Sequence, residues 1–257
     1  MPRVLEFDRV VFRRGASAIL DGVSLSVEAG ETVALLGRSG SGKSTLLKLA
    51  NGLLMPDAGE VRVEGRSTRD WDPIRLRRRT GYMLQEGGLF PHFTVALNIG
   101  LVPLLEGWEP QRIAARVEAL LELIGLSTAL AERLPAALSG GQRQRVGVAR
   151  ALAAEPPLLL CDEPFGALDP LTRAAIQREF AGLRNKLDGA RPPPAALFVT
   201  HDLREALLLG TRVALLDEGR LVAIAPPSEF ARSPHPLVRA YFEAVMELVP
   251  AQAEGSS

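Results

Sequence analysis

The segment GRSGSGKST, Gly37 to Thr45, constrains the fold of this chain more than any other part of the sequence. It matches the pattern G-x-x-x-x-G-K-[ST] and lies between the apolar run TVALL and the helical pattern KSTLLKLA. In that context glycines let backbone N–H groups turn toward phosphate oxygens, and the following helix adds the positive end of its dipole. The segment therefore predicts a strand–loop–helix unit that binds a nucleotide phosphate.

Two side chains of this segment suit ATP bound with Mg²⁺. Lys43 is expected to reach the β- and γ-phosphates, and the Ser44 hydroxyl is expected to bind the metal. The other residues of the segment are also expected to contact the nucleotide. They are Gly37, Arg38, Ser39, Gly40, Ser41, Gly42 and Thr45. The alternative, a plain Gly/Ser turn before a helix, is disfavoured by the apolar strand pattern that precedes the loop.

A second chemical feature is LLLCDEP, in which an apolar run ends at Asp162 and Glu163. A phosphate loop alone does not identify the reaction, because kinases, GTPases and transport ATPases share it. Two adjacent carboxylates that point in different directions can divide the chemistry. One can hold the Mg²⁺ shell, and the other can polarise a water for attack on the γ-phosphate. Hydrolysis is therefore favoured over transfer to another acceptor. Cys161, just before the pair, is predicted to be a core residue.

The nineteen residues between Glu86 and Glu106 contain no Asp, Glu, Lys or Arg. That length could span a bilayer. However, Pro91, Pro103, three glycines, a histidine and an asparagine lie within it, so a continuous helix would be broken at least once. We therefore expect a loop followed by a helix, with an apolar surface that is either exposed to a partner or buried. The leucines and isoleucine of its second half are expected to pack the interior, namely Leu97, Ile99, Leu101 and Leu104.

Composition narrows the class of function. The 257 residues are 47% hydrophobic and 23% charged, which is typical of a globular protein long enough to bury a large core. Thirty basic residues balance thirty acidic ones, so we expect no nucleic-acid partner, and we interpret RLRRRTG as a solvated face. The single cysteine excludes an internal disulfide. The N-terminus MPRVLEFDRV has no apolar segment of the kind found in secretory signals.

Strand and helix patterns alternate along most of the chain. The first part predicts strands over residues 4–35, a helix in KSTLLKLANGLL, short strands in GEVRVEG and a buried strand in YMLQ. From Glu86 to about Ala154 the pattern is helical, and IAARVEALLELIG places its apolar residues on one face. Beyond it, strands in PPLLLCDEP, ALFVT, RVALLD and RLVAIA alternate with helices at Leu171–Leu187, in LREALLLG and at the C-terminus. This alternation predicts a parallel sheet with crossover helices and a helical lobe inserted in the middle.

The order of the motifs resembles that of a known family. LSGGQ, Leu138 to Gln142, follows the helical block and is the signature of the ATP-binding-cassette (ABC) ATPases. The phosphate loop, Gln85, Asp162–Glu163, the ALD segment that ends at Asp169, and His201 in VTHD stand where that family has them. Over residues 4–230 the chain resembles the nucleotide-binding subunit of an ABC transporter.

This resemblance implies a fold. It is an α/β fold, a P-loop NTPase (RecA-like) core with an N-terminal antiparallel β-subdomain and an inserted α-helical signature subdomain. We expect one ABC ATPase domain over residues 1–232, with a core of 1–85 and 153–232 and a helical subdomain at about 86–152. Residues 233–257 are expected to form a short helical extension and a flexible tail.

The resemblance also implies roles at the nucleotide. Asp162, with Ser44 and Gln85, would hold the Mg²⁺, and Glu163 would activate the attacking water. Gln85 would also sense which nucleotide is bound, and His201 would contact the γ-phosphate and position the water. Phe12 occupies the place of an aromatic residue that stacks on adenine in the family, although the family frequently has tyrosine there.

A second nucleotide surface is implied by the signature segment. Ser139, Gly140, Gly141 and Gln142 would bind the γ-phosphate held by the P-loop of another copy, with Asp169 at the same interface. Backbone N–H groups and a hydroxyl suit such an anion. The resemblance thus implies a dimer of ATP-binding subunits, here a homodimer, that ATP joins and hydrolysis releases.

Three stretches are similar to the ATPase subunits of importers for glycine betaine, choline and related quaternary amines. They are EGGLFPHFTVALNIGLVPLLEGW, LSGGQRQRVGVARALAAEPPLLLCDEPFGALDPLTR and REF. Such systems imply a permease, contacted through residues of about 86–105, an extracytoplasmic solute-binding protein, and a peripheral location on the cytoplasmic side of the membrane. The regulatory domain pair that often follows the cassette there is not expected here, because the chain stops soon after MELVP.

Two alternatives remain open at the level of sequence. An ABC transporter for another substrate, such as an amino acid, a lipid or a drug, would share every catalytic residue. A soluble ABC ATPase of DNA repair, chromosome handling or translation is less favoured, because those proteins typically carry coiled-coil insertions, zinc modules or a second cassette.

Overall fold

Two β-sheets organise the chain in the computed structural model, which describes residues 2–84, 88–166, 168–186 and 194–247. The strands are β1 (Arg3–Arg14), β2 (Ser17–Glu28), β3 (Thr32–Leu36), β4 (Ala58–Val63), β5 (Arg66–Ser67), β6 (Thr80–Met83), β7 (Leu158–Asp162), β8 (Ala195–Thr200), β9 (Arg212–Asp217) and β10 (Arg220–Ala225). The helices are α1 (Lys43–Ala50), α2 (Pro73–Arg79), α3 (Val95–Leu105), α4 (Pro110–Leu123), α5 (Gly140–Leu152), α6 (Pro170–Lys186), α7 (Leu203–Leu209), α8 (Pro227–Phe230) and α9 (Pro236–Glu247). Short 3₁₀ turns lie at Thr128–Leu130 and Pro135–Ala137.

The first sheet has four strands in the order β2-β1-β4-β5, and its long strands pair antiparallel. Leu5, Phe7 and Val10 of β1 face inward, and Leu5 and Val10 are fully buried. They share one core cluster with the apolar residues of α1 and of the second sheet. The expected N-terminal antiparallel β-subdomain is therefore present and packs directly on the core.

The second sheet has six strands in the order β10-β9-β3-β8-β7-β6. Its strands β3, β6, β7, β8 and β9 pair parallel, and β10 is the antiparallel edge. All five residues of TVALL in β3 are buried, as a strand covered on both faces requires. Because β3, β8 and β7 are neighbours, the segments after their carboxyl ends meet at one edge of the sheet. In open parallel sheets that edge is where ligands bind.

A helical lobe stands between β6 and β7, as the pattern predicts. In α4 the side chains of Val117, Leu120 and Leu121 are buried, and Ile124 lies just past its end, while Ile113 is half-buried. These residues form one apolar cluster with α3, α5 and the face of the second sheet that points away from the N-terminal sheet. The lobe is thus anchored to the sheet by a continuous core.

Several element boundaries differ from the sequence prediction. The helix after the phosphate loop ends at Ala50, and the buried strand predicted as YMLQ is Thr80–Met83. The basic run forms α2, where Arg78 donates to the Leu105 carbonyl and pairs with Glu106. This arginine therefore links α2 to the end of α3 rather than pointing only into solvent.

The apolar helix α3 corrects one expectation. Of the four residues predicted to pack the lobe, only Ile99 is fully buried. Leu97 is 37% exposed and Leu104 is 51% exposed. Because every face of α3 is apolar, its sequence has no stripe that marks which side is buried. No helix in the described ranges has both the length and the apolar character needed to cross a bilayer.

Candidate functional site

The phosphate loop joins β3 to α1 and depends on its glycines. Gly40 and Gly42 have φ of 80° and 107°, a region that side chains with Cβ rarely adopt. A Cβ on Gly42 would lie 2.7 Å from Leu20 Cδ2, and one on Gly37 would lie 2.4 Å from the Leu216 carbonyl oxygen. The phosphate loop therefore packs closely against the N-terminal sheet on one side and β9 on the other. Its backbone can turn inward only because these positions lack side chains.

Lys43 lies inside this loop and is 5% exposed. Its Nζ donates to the Gly37 carbonyl at 2.7 Å and to the Arg38 carbonyl at 2.8 Å. Burial lowers the pKa of the Lys43 ammonium, and the charges of Glu163 and Asp162 partly oppose that effect. A buried ammonium held at the start of a helix is suited to bind an anionic group.

Asp162, the last residue of β7, faces the phosphate loop. Its Oδ1 accepts a hydrogen bond from the Ser44 hydroxyl at 3.0 Å, and the Tyr82 hydroxyl on neighbouring β6 lies close to the same carboxylate. Burial raises the pKa of Asp162, and the Ser44 hydrogen bond opposes that shift. A hydroxyl and a carboxylate at this spacing form a pair of oxygen donors of the type that Mg²⁺ prefers.

Glu163 points away from Asp162. Its Oε2 lies 2.9 Å from Nδ1 of His201, which follows β8. The backbone of Glu163 has φ of 44°, a left-handed conformation uncommon for a residue with a side chain, and its N–H donates to the Val199 carbonyl. Strained backbone of this kind clusters at functional sites. The two adjacent carboxylates therefore serve two separate places, as the sequence pattern suggested.

The turn between β9 and β10 contacts the phosphate loop, and the sequence patterns did not predict this contact. The Gly219 N–H donates to the Ser41 carbonyl at 3.2 Å, and the Asp21 N–H donates to the Gly219 carbonyl at 2.9 Å. A Cβ on Gly219 would lie 2.5 Å from the Ile19 carbonyl oxygen. Tyr82 was missed as well. Only the neighbouring positions of β6 and β7 in the sheet reveal that it touches Asp162.

The signature segment begins α5. Ser139 caps the helix, because its hydroxyl accepts from the Gln142 N–H while the Gln142 side chain accepts from the Ser139 N–H. Ser139 and Gly140 are exposed, and a Cβ on Gly141 would lie 2.8 Å from Thr172 Cγ2. The first N–H groups of a helix find no carbonyl partner within it, so the segment presents hydrogen-bond donors at the surface of the lobe.

Other predicted site residues fall in different surroundings. Asp169 caps α6 by accepting from the Thr172 N–H at 3.0 Å, and hydrogen bonds from Thr172 lower the pKa of this exposed carboxyl. Phe12 is half-buried and packs against the main core cluster. Gln85 lies outside the described residues, as does Ala167 of the ALD segment.

The uncharged stretch forms a compact loop before α3. Asn98, fully buried, accepts from the Phe90 N–H and donates to the carbonyls of Phe90, Phe93 and Thr94. Phe90 and Phe93 pack at 5.2 Å between ring centroids, and Phe90 is 42% exposed. In the sequence this asparagine only interrupts an apolar run, yet in the structure it is the side chain that shapes the loop.

A cleft of about 700 Å³ opens beside this loop. It runs from Phe90, Leu84 and Leu101 inward to Tyr82 and Asp162. Arg150, near the end of α5, lines the same cleft and donates to the Gly88 carbonyl at 2.6 Å. The cleft therefore connects the exposed aromatic loop with the residues nearest the phosphate loop.

Comparisons with known proteins agree with this geometry. The family model described as ABC transporter matches residues 20–166. The chain is similar to the choline transport ATP-binding protein OpuBA of Bacillus subtilis, at 44% identity over 86% of this chain and 57% of that protein. It is also similar to the glycine betaine uptake system ATP-binding protein YehX of Escherichia coli, at 45% identity over 93% of this chain and 76% of that protein.

Solved structures give the same result. The dimeric post-hydrolysis structure of the ATP-binding cassette MJ0796, bound to ADP and Pi, aligns with a TM-score of 0.74 at 32% identity and covers 87% of this chain and 98% of that one. The structure of cbiO1 from Clostridium perfringens, part of the ABC transporter complex cbiONQ, aligns with a TM-score of 0.81 at 25% identity, covering 96% of this chain and 95% of that one. The chain spans 57% of the length of the OpuBA relative, so that relative contains further sequence.

Proposed function

The chain belongs to the ABC transporter family, and we propose that it is the ATP-hydrolysing subunit of an importer for quaternary amines such as glycine betaine or choline. One observation carries the hydrolytic part of the proposal. At the edge of the sheet beside the phosphate loop, Asp162 faces Ser44 while the adjacent Glu163 faces His201. The pair thus separates a metal-facing carboxylate from a water-facing one.

Nucleotide binding is assigned to the phosphate loop. Residues 37–45 would surround the phosphates with backbone N–H groups, and Lys43 would turn from the Gly37 and Arg38 carbonyls toward the β- and γ-phosphates. Ser44 and Asp162 would hold Mg²⁺ together with Gln85, and the bound ion would neutralise phosphate charge. Phe12 would stack on the adenine.

Hydrolysis then needs a proton acceptor for the water. In this step the water oxygen bonds to the γ-phosphorus, the bond from that phosphorus to the β–γ bridging oxygen breaks, and ADP leaves with that electron pair. Glu163 takes the proton that the water loses. The His201 side chain is 61% exposed and 2.9 Å from Glu163, and it would contact both the carboxylate and an incoming phosphate. Its hydrogen bond would orient the carboxylate during the reaction.

The signature surface requires a second copy of the chain. Ser139, Gly140, Gly141 and Gln142 present a helix N-terminus that faces outward, so they would bind the γ-phosphate held by a partner's loop. Asp169, exposed at the start of α6, would lie at the same interface. The similar MJ0796 cassette is a dimer bound to ADP and Pi, which supports this arrangement.

The permease is proposed to bind along residues 86–105. Exposed Phe90 and the cleft beside it offer an apolar socket that leads to Asp162. In this scheme residues 1–85 and 153–232 are the nucleotide-binding core and residues 86–152 the lobe that meets the permease. The subunit would lie peripherally on the cytoplasmic side of the membrane, with a solute-binding protein on the other side.

The transported solute is inferred from the two relatives, one a choline transport protein and the other part of a glycine betaine uptake system. Reconstitution of the chain with its permease in vesicles tests it directly. Radiolabelled glycine betaine or choline should accumulate only when ATP and Mg²⁺ are supplied on the side of the ATPase, and histidine should not compete. If ATP is hydrolysed but the amine is not taken up, or if histidine competes with amine uptake, the chain is still an ATPase but its assignment to quaternary amines is rejected.

A further inference from the structure

The loop between β7 and α6 carries both Glu163 and Asp169, so its position sets two parts of the proposed site at once. Among its described residues, two backbone hydrogen bonds lie within the loop, from the Gly166 N–H to the Glu163 carbonyl and from the Leu168 N–H to the Phe165 carbonyl. These two bonds shape the loop but do not tie it to another element. The Glu163 N–H ties the start of the loop to the Val199 carbonyl of β8, whereas the carbonyls of Phe165, Gly166 and Leu168 depend on another contact.

Arg173, one turn into α6, supplies that tie. Its Nε donates to the Phe165 carbonyl at 3.1 Å, and its Nη2 donates to the carbonyls of Gly166 at 3.1 Å and Leu168 at 3.0 Å. Three carbonyls are thus held by one planar guanidinium. A lysine ammonium, a compact point charge on a flexible stem, has no such fork and cannot reproduce this contact set.

A second contact joins α6 to a buried carboxylate on α7. Glu205 is 5% exposed, and its Oε1 accepts from Gln177 Nε2 on α6 at 2.8 Å. Burial raises the pKa of Glu205, while hydrogen bonds from Thr200 and Gln177 and the charge of Arg173 favour its ionised form. A buried carboxylate with these partners joins the helix that follows the Glu163 loop to the strand end at Thr200.

Thr200 is the residue immediately before His201. It is 1% exposed, and its hydroxyl also accepts from the Asp202 N–H at 3.0 Å. Arg173 thus ties the Glu163 loop to α6, and Gln177 ties α6 to Glu205 on α7, the helix that begins two residues after His201. The 2.9 Å contact between Glu163 and His201 therefore lies between the loop that Arg173 holds and the segment that leads into α7.

We propose that Arg173 and Glu205 are two positioning residues, joined through α6, that hold Glu163 and His201 in register. The proposal rests on the hydrolytic function proposed above, since it assigns a use to that geometry. Neither residue needs to touch nucleotide. The pair would act through the loop carbonyls and through Thr200, so its loss should affect turnover rather than ATP binding.

Arg173→Lys and Glu205→Gln test the proposal, because each keeps side-chain size and removes the fork or the charge. Arg178→Lys is the matched control, since Arg178 lies on the same helix, is exposed, and donates to its own helix at Ala174. We expect kcat for ATP hydrolysis to fall about 10- to 100-fold in both test variants, the range that a small misplacement costs, with KM for ATP nearly unchanged. Arg178→Lys should match the wild type.

Hydrogen–deuterium exchange of the peptide over residues 163–169 provides a readout that does not depend on activity. Exchange there should rise in Arg173→Lys and stay at the wild-type level in Arg178→Lys. Unchanged exchange overturns the tie between Arg173 and the loop. Raised exchange with an unchanged kcat overturns the positioning role. A wild-type chain that binds ATP without hydrolysing it would instead reject the proposed function, and exchange would still decide whether Arg173 holds the loop.

Discussion

Replacing Glu163 with Gln tests its proposed role as proton acceptor, because the substitution replaces one carboxylate oxygen with an NH₂ group and changes little else. The backbone N–H of Glu163 still donates to Val199, and an amide oxygen can still face His201. The unusual φ of 44° is a backbone property that glutamine shares with glutamate. Folding and nucleotide binding should therefore survive the change, and only the capacity to take a proton is lost.

The expected size of the effect follows from that reasoning. A general base accounts for roughly 10²- to 10⁴-fold in rate, which corresponds to about 2.7–5.5 kcal/mol in the activation free energy. The P-loop contacts that bind the phosphates do not include Glu163. We therefore expect kcat to fall by roughly that factor while the Kd for ATP changes by less than about twofold.

Phosphate release from ATP with Mg²⁺, measured under single turnover, is the suitable assay, and ATP affinity is measured separately by calorimetry. Glu64→Gln is the matched control, because Glu64 also has a positive φ, of 52°, and lies in the turn between β4 and β5, where it pairs with Arg79 of α2. It should hydrolyse ATP like the wild type. A Glu163→Gln rate within a few-fold of wild type would refute the assignment of Glu163 as the base.

Four further predictions concern the same site and its surroundings. Lys43→Ala should abolish tight ATP binding in calorimetry, since it removes the ammonium inside the phosphate loop; unchanged affinity would exclude this loop as the nucleotide site. With ATP, the Glu163→Gln variant should elute as a dimer in size-exclusion chromatography. The double variant that also carries Gly141→Ala should elute as a monomer, because the added Cβ would lie 2.8 Å from Thr172 and disturb the signature segment. If the single and the double variant both elute as dimers, the interface does not involve this segment. Asp162→Asn should raise the Tm of the nucleotide-free chain near pH 7, because burial raises the pKa of Asp162 and its charge therefore opposes folding at higher pH. Each kcal/mol of added unfolding free energy corresponds to a rise in Tm of about 2–4 °C. The difference in Tm between the variant and the wild type should vanish in acid, where Asp162 is protonated in both the folded and the unfolded chain. A lower Tm of Asp162→Asn at pH 7 would contradict this account. Phe90→Asp should reduce permease-coupled uptake, while the isolated variant keeps its basal ATP hydrolysis. Leu208→Asp, at a comparably exposed leucine on α7, should leave uptake unchanged. Equal uptake by the two variants would show that the permease does not contact Phe90.

Those parts of the molecule that depend on local chemistry could be predicted from the residues alone. The phosphate loop needs glycines where φ is positive and where Leu216 and Leu20 approach, so the pattern Gly37 to Ser44 leaves little choice of structure. The short apolar run of TVALL before the phosphate loop favoured a strand covered on both faces, and the single-faced apolar pattern of α4 specified its buried side. Asp162 and Glu163, adjacent at a strand end, also had to diverge.

Which residues from distant parts of the chain meet is a matter of strand order and helix packing. Tyr82 contacts Asp162 because β6 lies beside β7, and the Gly219 turn supports Ser41 because β9 lies beside β3. The exposed leucines of α3 could not be read from a helix that is apolar all round. Arg173 and Glu205 carry no motif of their own. Their role emerges only in the folded chain, because their hydrogen bonds join side chains to loops and helices that no local pattern brings together.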